Sequence, residues 1–422
     1  MLKNILISIV LILAIAGGVY YWLARSSPAP ALAPETPTTQ APSFNPLNRT
    51  VPPPPPVIAK ATTSDLVYSA PVVETKIPVL RHLSTTPIGG YMASTTASST
   101  LVRYIDRGVG HVYEATNDSA VISKISNTTI PKIYESYWNR NANAGILRYL
   151  RDEGSIVNFY AEIRPVKVAT TTDIVPASSD FIPYEIKGKF LSPDIKEVAV
   201  SPKHDKIFTW NIESGRGIGY ISGFDESKKT RVLDTPLTQV TVDWPEENTL
   251  AITTKASGLS SGFLYLFDIK KASLTKALGG IMGLSAKVSS DAKKIIFSSS
   301  RPNSVIMSLY NVKDNLTQEI VLRTLADKCV WSKLRPQDIY CAVPTKFEAG
   351  MYPDDWYKGN VSFIDQIWHL DTTTGEVLLL ANLLTLSDSL IDATDLTLDP
   401  KENFLYFVNK RDLTLWSLDL TQ

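Results

Sequence analysis

The stretch KKIIFSSSRPNSVIMSLYN, Lys293 to Asn311, decides how the chain is read. An apolar run over Ile295 to Phe297 gives way to serines, a Pro-Asn turn, and a second run closing on Tyr310 and Asn311. β-Branched and aromatic residues bounded by turn formers read as two antiparallel strands. The same pattern recurs on both sides. The first run has counterparts in DKIFTWN (205–211), NTLAITT (248–254), QDIYCAV (337–343) and NFLYFVN (403–409). The closing run has counterparts in GYISGFD (219–225), LYLFDI (264–269), IWHLD (367–371) and LWSLDL (415–420).

Spacing turns the pattern into an architecture. The closing positions Asp225, Asp268, Asn311, Asp371 and Asp419 are separated by 43, 43, 60 and 48 residues. The longest interval also becomes 43 once a 17-residue insertion, Pro344 to Asn360, is set aside. A period near 43 with about four strands per unit is that of a β-propeller blade. Two less regular units fit upstream: LVRYIDRG (101–108), GHVYEATN (110–117) and AVISKIS (120–126), then AGILRYL (144–150) and SIVNFYAEI (155–163). The chain is therefore expected to be all-β, a propeller of seven blades, with six or eight as alternatives. Its last unit stops at a third strand, so a strand from Val72 to Ser84 is expected to complete the final blade. Closure of this kind removes edge strands that would otherwise invite aggregation.

The run VSSDAKKIIFSSSR, Val288 to Arg301, resembles the repeat of TolB-like propellers, where Ser-Pro-Asp-Gly-Lys-Lys precedes an apolar strand and Ser-x-Arg. VSPKHDKIFTW (200–210) and LDPKENFLYFVNKRD (398–412) look like degenerate copies. The resemblance covers roughly 195–420 and implies a fold. It carries no activity, because an apolar helix and a tether stand where TolB has a small α/β domain, so TolB's partners are not transferred.

That helix is ILISIVLILAIAGGVYYWLA, Ile5 to Ala24, which holds no charged residue. At 1.5 Å per residue it would be about 30 Å long, the thickness of a bilayer's hydrocarbon core. Tyr20, Tyr21 and Trp22 fall at its far end, where amphipathic rings favour the headgroup zone. Lys3 precedes it and Arg25 follows, a slight bias that places the N-terminus inside and the rest on the extracytoplasmic side. Ala14-Ile15-Ala16 would also suit a signal-peptidase site, and either reading exports the remainder. Next, 11 of the chain's 27 prolines lie between Ser26 and Lys60 among Ala, Thr and Ser. Such a segment cannot bury enough surface to offset its ordering entropy, and it reads as an extended tether. The expected organisation is a signal anchor over 1–25, a disordered Pro-rich linker over 26–70, and a propeller over 71–422.

The 422 residues carry 42 basic and 42 acidic side chains, a balance that argues against a nucleic-acid partner. His82, His111, His204 and His369 are scattered and form no ligand pair, so neither metal nor cofactor is expected. GLSSG, 258–262, matches G-x-S-x-G with Ser260 as nucleophile, but it sits between two strands rather than at a strand-to-helix elbow. The only two cysteines, Cys329 and Cys341, fall on adjacent strands of one unit about the turn KLRPQ. Antiparallel pairing there can bring them opposite each other, and an exported domain keeps disulfides. Two buried thiols are the plainer alternative.

The 17-residue insertion is the strongest functional signal. Tyr352, Asp354, Asp355, Trp356 and Tyr357 form its aromatic and acidic centre. Tyr and Trp beside Asp suit a binding hot spot or a sugar platform; capping the blade against water is the plainer role. A second candidate is the loop Arg164 to Tyr184, rich in Thr and Ser. The expected function is a membrane-anchored, non-catalytic scaffold that binds a protein or an envelope polymer. The alternative is an envelope hydrolase or lyase acting on glycan or peptide with carboxylates at the channel mouth.

Overall fold

In each regular repeat the second strand carries an unbroken apolar run rather than an alternating one. Such a run suits a strand covered on both faces. In the computed structural model these strands are the most deeply buried: Ile207, Phe208, Trp210, Leu250, Ile252, Ile295, Ile339, Leu405 and Phe407 are each 0 % exposed. The outermost strands are the reverse. Leu316–Glu319 is exposed at every position.

The structure describes residues 77–95, 99–166 and 184–421. The chain divides between Pro71 and Val72, and every described residue belongs to the second unit. The apolar segment Ile5 to Ala24 and the proline-rich stretch lie outside the described residues. Among those residues no helix is long and apolar enough to cross a membrane. The strands form five four-stranded sheets and one eight-stranded sheet. The larger sheet is two four-stranded units joined by a single parallel pair, Ser126 with Tyr184. The resulting seven blades span 88–126, 133–190, 195–235, 240–282, 285–319, 329–382 and 393–419, the last completed by Leu80–His82.

Seven apolar seams bind consecutive blades. Ile105 and Val112 of blade 1 meet Ile133 and Leu147 of blade 2. Ile146 meets Ile195 and Val198 across the next seam, and Trp210 meets Leu250 and Phe267 across the third. Leu264 and Leu278 pack on Ile295, and Met307 on Trp331 and Ile339. Ala342 and Ile367 pack on Leu405 and Phe407. Finally Tyr406 and Val408 of blade 7 pack on Val102 and Tyr104 of blade 1, which closes the ring.

The closing strand pairs Leu80 with Leu418, Arg81 with Ser417 and His82 with Trp416. Leu83 N donates to Leu415 O at 2.8 Å, and the His82 ring stacks on Trp416 at 4.2 Å. Leu80 is buried in the seam between blades 6 and 7, and Leu83 in the seam between blades 7 and 1. Three paired residues and the leucine that follows them therefore seal both flanks of the last blade.

First strands lie innermost, with 88–95 against 133–138 and 195–200 against 240–246. The first strands of blades 1 and 2, Ile88–Thr95 and Ile133–Trp138, were not among the runs legible in sequence. The former opens Ile-Gly-Gly, because a side chain on Gly89 would come within 2.5 Å of Ile133 Cγ2. Of the second candidate loop, Arg164 and Pro165 end the strand Ile156–Pro165, and Tyr184 opens the outermost strand Tyr184–Phe190. Residues 167–183 lie outside the described set.

The repeat's hairpin turn is built the same way four times. Ala142 N donates to Asn139 O, His204 N to Ser201 O, Ala292 N to Ser289 O and Glu402 N to Asp399 O, at 2.8–2.9 Å. The donor residue has positive φ in each case, 50°, 54°, 56° and 56°. TolB-like repeats place Gly there; this chain places side chains, which costs strain of order 1 kcal/mol unless it is offset. At Glu402 the offset is visible. Its carboxylate accepts from Ser332 Oγ (2.6 Å), Lys333 N (2.6 Å) and Leu334 N (3.1 Å), tying blade 7 to blade 6.

If the short strand seals the ring, a buried charge within it should be costly. Leu80→Asp is expected to lower the unfolding free energy by about 3 kcal/mol or more in chemical denaturation. An unchanged midpoint would mean the ring closes without this strand.

Candidate functional site

The strands of each blade run up and down in turn. Loops joining second to third strands therefore share one face with the connections between blades. The insertion, between strands Asp338–Pro344 and Asp365–Asp371, is such a loop. It does not stand free. Tyr352 is 0 % and Trp356 2 % exposed, packed with Phe363, Val305 and Leu325. The Tyr352 and Trp356 rings stack on Phe363 at 5.7 and 6.3 Å. Rings of this size gain more from burial than from waiting in water for a partner. Of the candidate rings Tyr352, Trp356 and Tyr357, the first two face inward, as the capping role requires, and Tyr357 stays exposed.

Its acids are engaged as well. Asp354, which opens the single helical turn Asp354–Tyr357, accepts from Ser257 Oγ (2.9 Å) and Gly258 N (2.6 Å) of blade 4. Asp355 accepts from Met351 N (2.7 Å) and Asn360 Nδ2 (3.0 Å), closing the loop on itself. Ser300 Oγ of blade 5 donates to Tyr352 O. Tyr357, 45 % exposed, donates its hydroxyl to Asp327 in the connection between blades 5 and 6. The insertion thus leaves blade 6 and lies over loops of blades 4 and 5 as a cap.

Beneath it sits a buried ionic cluster with no signature in the sequence. Lys328, immediately before the inner strand Cys329–Trp331, is 0 % exposed. Its Nζ donates to Asp365 Oδ2 (2.8 Å), Asp392 and Ala393 O (2.9 Å). It also lies 5.1 Å from the Trp356 ring centre and 5.2 Å from that of Phe363. Asp392 in turn accepts from Trp356 Nε1 (3.0 Å), Phe363 N (3.0 Å) and Ser362 Oγ (3.1 Å). The cap is therefore fastened to the inner edges of blades 6 and 7 through one lysine. Burial pushes the Asp365 carboxyl up to about 6 against the pull of Lys328, and its Oδ1 has no hydrogen-bond partner. Burial also raises Asp392, but Lys328 and the donors around it outweigh that and hold it below the usual carboxylate range.

The centre of the ring is polar. Lys287 Nζ of blade 5 lies 3.8 Å from Asp243 of blade 4, with 38 % and 49 % of these side chains still exposed. Asp243, then Asp327 and Asp395, raise the Lys287 pKa. Asp395 is exposed, and desolvation by the surrounding chain raises its carboxyl, with Glu135 and Asp327 adding to that. Burial likewise raises Glu197, which pairs with Lys255 at 3.1 Å. At the opposite, hairpin-turn face, His204 Nε2 of blade 3 sits 3.5 Å from Lys333 Nζ of blade 6. Burial, then Lys333, lowers the His204 pKa to about 4, so its ring is neutral near pH 7.

The remaining candidates fall out simply. Cys329 and Cys341 pair directly across their strands and are joined, with S–S 2.09 Å and Cα–Cα 4.1 Å. Ser260 lies in a turn whose neighbours Ser257 and Gly258 dock the cap, so GLSSG serves as its seat. His369 Nε2 is 3.4 Å from Asp338 Oδ1, and its ring is 5.1 Å from that of Tyr340. Among the described residues no three His, Cys, Asp or Glu side chains gather as metal ligands.

No family model and no curated protein matches the chain. Among solved structures, oligogalacturonate lyase from Vibrio parahaemolyticus shares 9 % identity over 81 % of this chain and 94 % of its own, with a TM-score of 0.49. TolB from Acinetobacter baumannii shares 12 % over 79 % of each chain, with a TM-score of 0.38. The β-propeller domain of the Trilobed protease from Pyrococcus furiosus shares 11 % over 63 % of this chain and 74 % of its own, with a TM-score of 0.39. The propeller architecture of this chain stands on its own strand order and its closing seam.

The cluster predicts a pH dependence. Asp365 titrates higher in the folded protein than its ordinary value of 3.8, so the folded form binds its proton more tightly. Stability from this group is greatest at low pH and is lost as pH rises from about 4 through about 6. Between about pH 5 and about pH 7 the loss amounts to about 1 kcal/mol, and Asp365→Asn is expected to flatten it in denaturation curves. An equally steep profile in the variant would assign the dependence elsewhere.

Proposed function

We propose that the chain is a membrane-anchored, non-catalytic propeller that offers its capped face to a protein or an envelope polymer outside the cytoplasm. The observation that carries this reading is the fate of the insertion. Its two aspartates are hydrogen-bonded within the cap and to blade 4 and its one glutamate, Glu348, pairs with Lys346 at 2.6 Å, which leaves none of them poised as a general acid or base. What the cap adds to the face is a firm surface. Leu259 is 73 % exposed, Tyr357 45 % and Met282 40 %, with Lys358 beside them. Exposed apolar residues on a rigid support suit recognition by a partner. The charge-free span Ile5 to Ala24 and the proline-rich stretch after it support a membrane anchor joined to the propeller by a tether.

One observation favours the enzymatic alternative. At the ring's centre Asp327 and Asp395 raise the Lys287 pKa and Asp327 and Glu135 help raise that of Asp395, and groups shifted by charged neighbours are common where acid–base chemistry occurs. A hydrolase or lyase acting on glycan or peptide would use them.

A photo-crosslinking residue placed at Leu259 or at Lys358 in intact cells is expected to capture the same partner, and one at Leu316 on an outer edge is not. Capture only from Leu316 would overturn the reading. Turnover of envelope glycans or peptides that Asp395→Asn abolishes would favour the enzyme.

A further inference from the structure

On the hairpin-turn face, away from the cap, an open cleft of about 540 Å³ lies between blades 2 and 3. That is within the size range of small-molecule sites, about 300–1,000 Å³. Three turns form its walls, and each is fixed by its own hydrogen bonds. Asn139 Oδ1 accepts from Asn143 N and Ala144 N at 3.1 and 3.2 Å. Ser201 Oγ accepts from Asp205 N and Lys206 N at 3.2 and 3.1 Å. Gly223 N donates to Ser227 O at 2.9 Å, and Asp225 Oδ1 accepts from Ser227 N at 3.0 Å. Arg140 N donates to His204 O at 3.1 Å, which locks the first two turns together. His204 contributes a neutral ring tied to Trp138 O at 3.1 Å.

Within this rigid frame two side chains remain uncommitted. Among the described residues, neither the Arg140 guanidinium nor the exposed Asn141 amide has a hydrogen-bond or ion-pair partner. Asp205 and Asp225 each accept bonds through Oδ1. Lys203 stands at the rim, paired with Glu247 across to blade 4 at 2.5 Å. Two cations thus face two carboxylates. An anionic ligand would meet Asp205 and Asp225, and a cationic one Arg140 and Lys203. A neutral ligand rich in hydroxyls meets neither penalty. Each hydroxyl donates and accepts, so it uses an amide, a guanidinium fork and a carboxylate edge together. Tyr160 and Phe224 supply the apolar side of the cleft, suited to the C–H face of a sugar ring.

We propose that this cleft binds a neutral oligosaccharide segment, with Arg140, Asn141 and Asp205 holding its hydroxyls. The proposal rests on the binding-module reading and narrows it to a glycan at a second face. The test applies the full-length protein in detergent to an array of immobilised neutral and acidic oligosaccharides, alongside Arg140→Ala, Asn141→Ala and the cap variant Lys358→Ala. Retention on neutral glycans is expected, competed by the free sugar and weakened at least 10-fold in the first two variants but not in the third. No retention, retention confined to acidic glycans, or equal binding by all variants at unchanged melting temperature would overturn it. Mass spectrometry of the eluate separates the two readings. Cleaved glycan would overturn the non-catalytic function while leaving the cleft assigned, whereas absent retention removes the cleft and leaves partner capture by the cap face standing.

Discussion

Ring closure is the constraint on which everything else depends. Seven blades share seven apolar seams, and a seam exists only when both neighbours are present. The last two seams are completed from opposite ends of the described chain, with Leu80 and Leu83 seated beside Leu418 and Leu415. A three-residue strand would be marginal as an isolated hairpin. Here it succeeds because its leucine, Leu80, fills one seam and Leu83, the residue after the strand, fills the next. Once closed, the ring fixes the positions of loops that are far apart in sequence, and both faces inherit that rigidity.

The capped face shows what the rigidity allows. Lys328, Asp365 and Asp392 come from three separate segments, yet the inner edges of blades 6 and 7 bring them within hydrogen-bonding distance. A buried lysine between two carboxylates is a poor source of net stability, because desolvation offsets much of the attraction. Its contribution is geometric. Asp392 is held where it receives Trp356 and the Phe363 amide, so the insertion has one place to lie. The disulfide Cys329–Cys341 begins at the next residue and staples the three-residue inner strand that follows this lysine to its neighbour.

The sequence made much of this legible, for a physical reason. Strands covered on both faces, such as 207–213 and 404–409, need continuous apolar runs, and those runs exposed the period. Strands that need no such run were hidden. Leu316–Glu319 is wholly exposed, and Ile88–Thr95 trades bulk for glycine where blade 2 presses close. The insertion was recognisable as unusual from its rings and acids. The direction of those rings was not, since an aromatic cap and an aromatic binding loop have the same composition. The lysine cluster left no trace, because its members are 37 and 64 residues apart and only blade register joins them. The cleft between blades 2 and 3 was hidden for the same reason, with walls from three turns that look ordinary singly.

The central claim is that the insertion is a fixed part of the ring rather than a loop awaiting a partner. Amide hydrogen exchange across Met351 to Val361 in the free protein tests it most directly. Protection comparable to that of the neighbouring strand Asp338–Pro344 is the result expected from the backbone amides bonded within the cap, Met351 N to Asp355 Oδ2 and Asp355, Tyr357 and Lys358 N to the carbonyls of Met351, Pro353 and Asp354. Exchange as fast as that of a solvent-exposed amide with no hydrogen bond would contradict it.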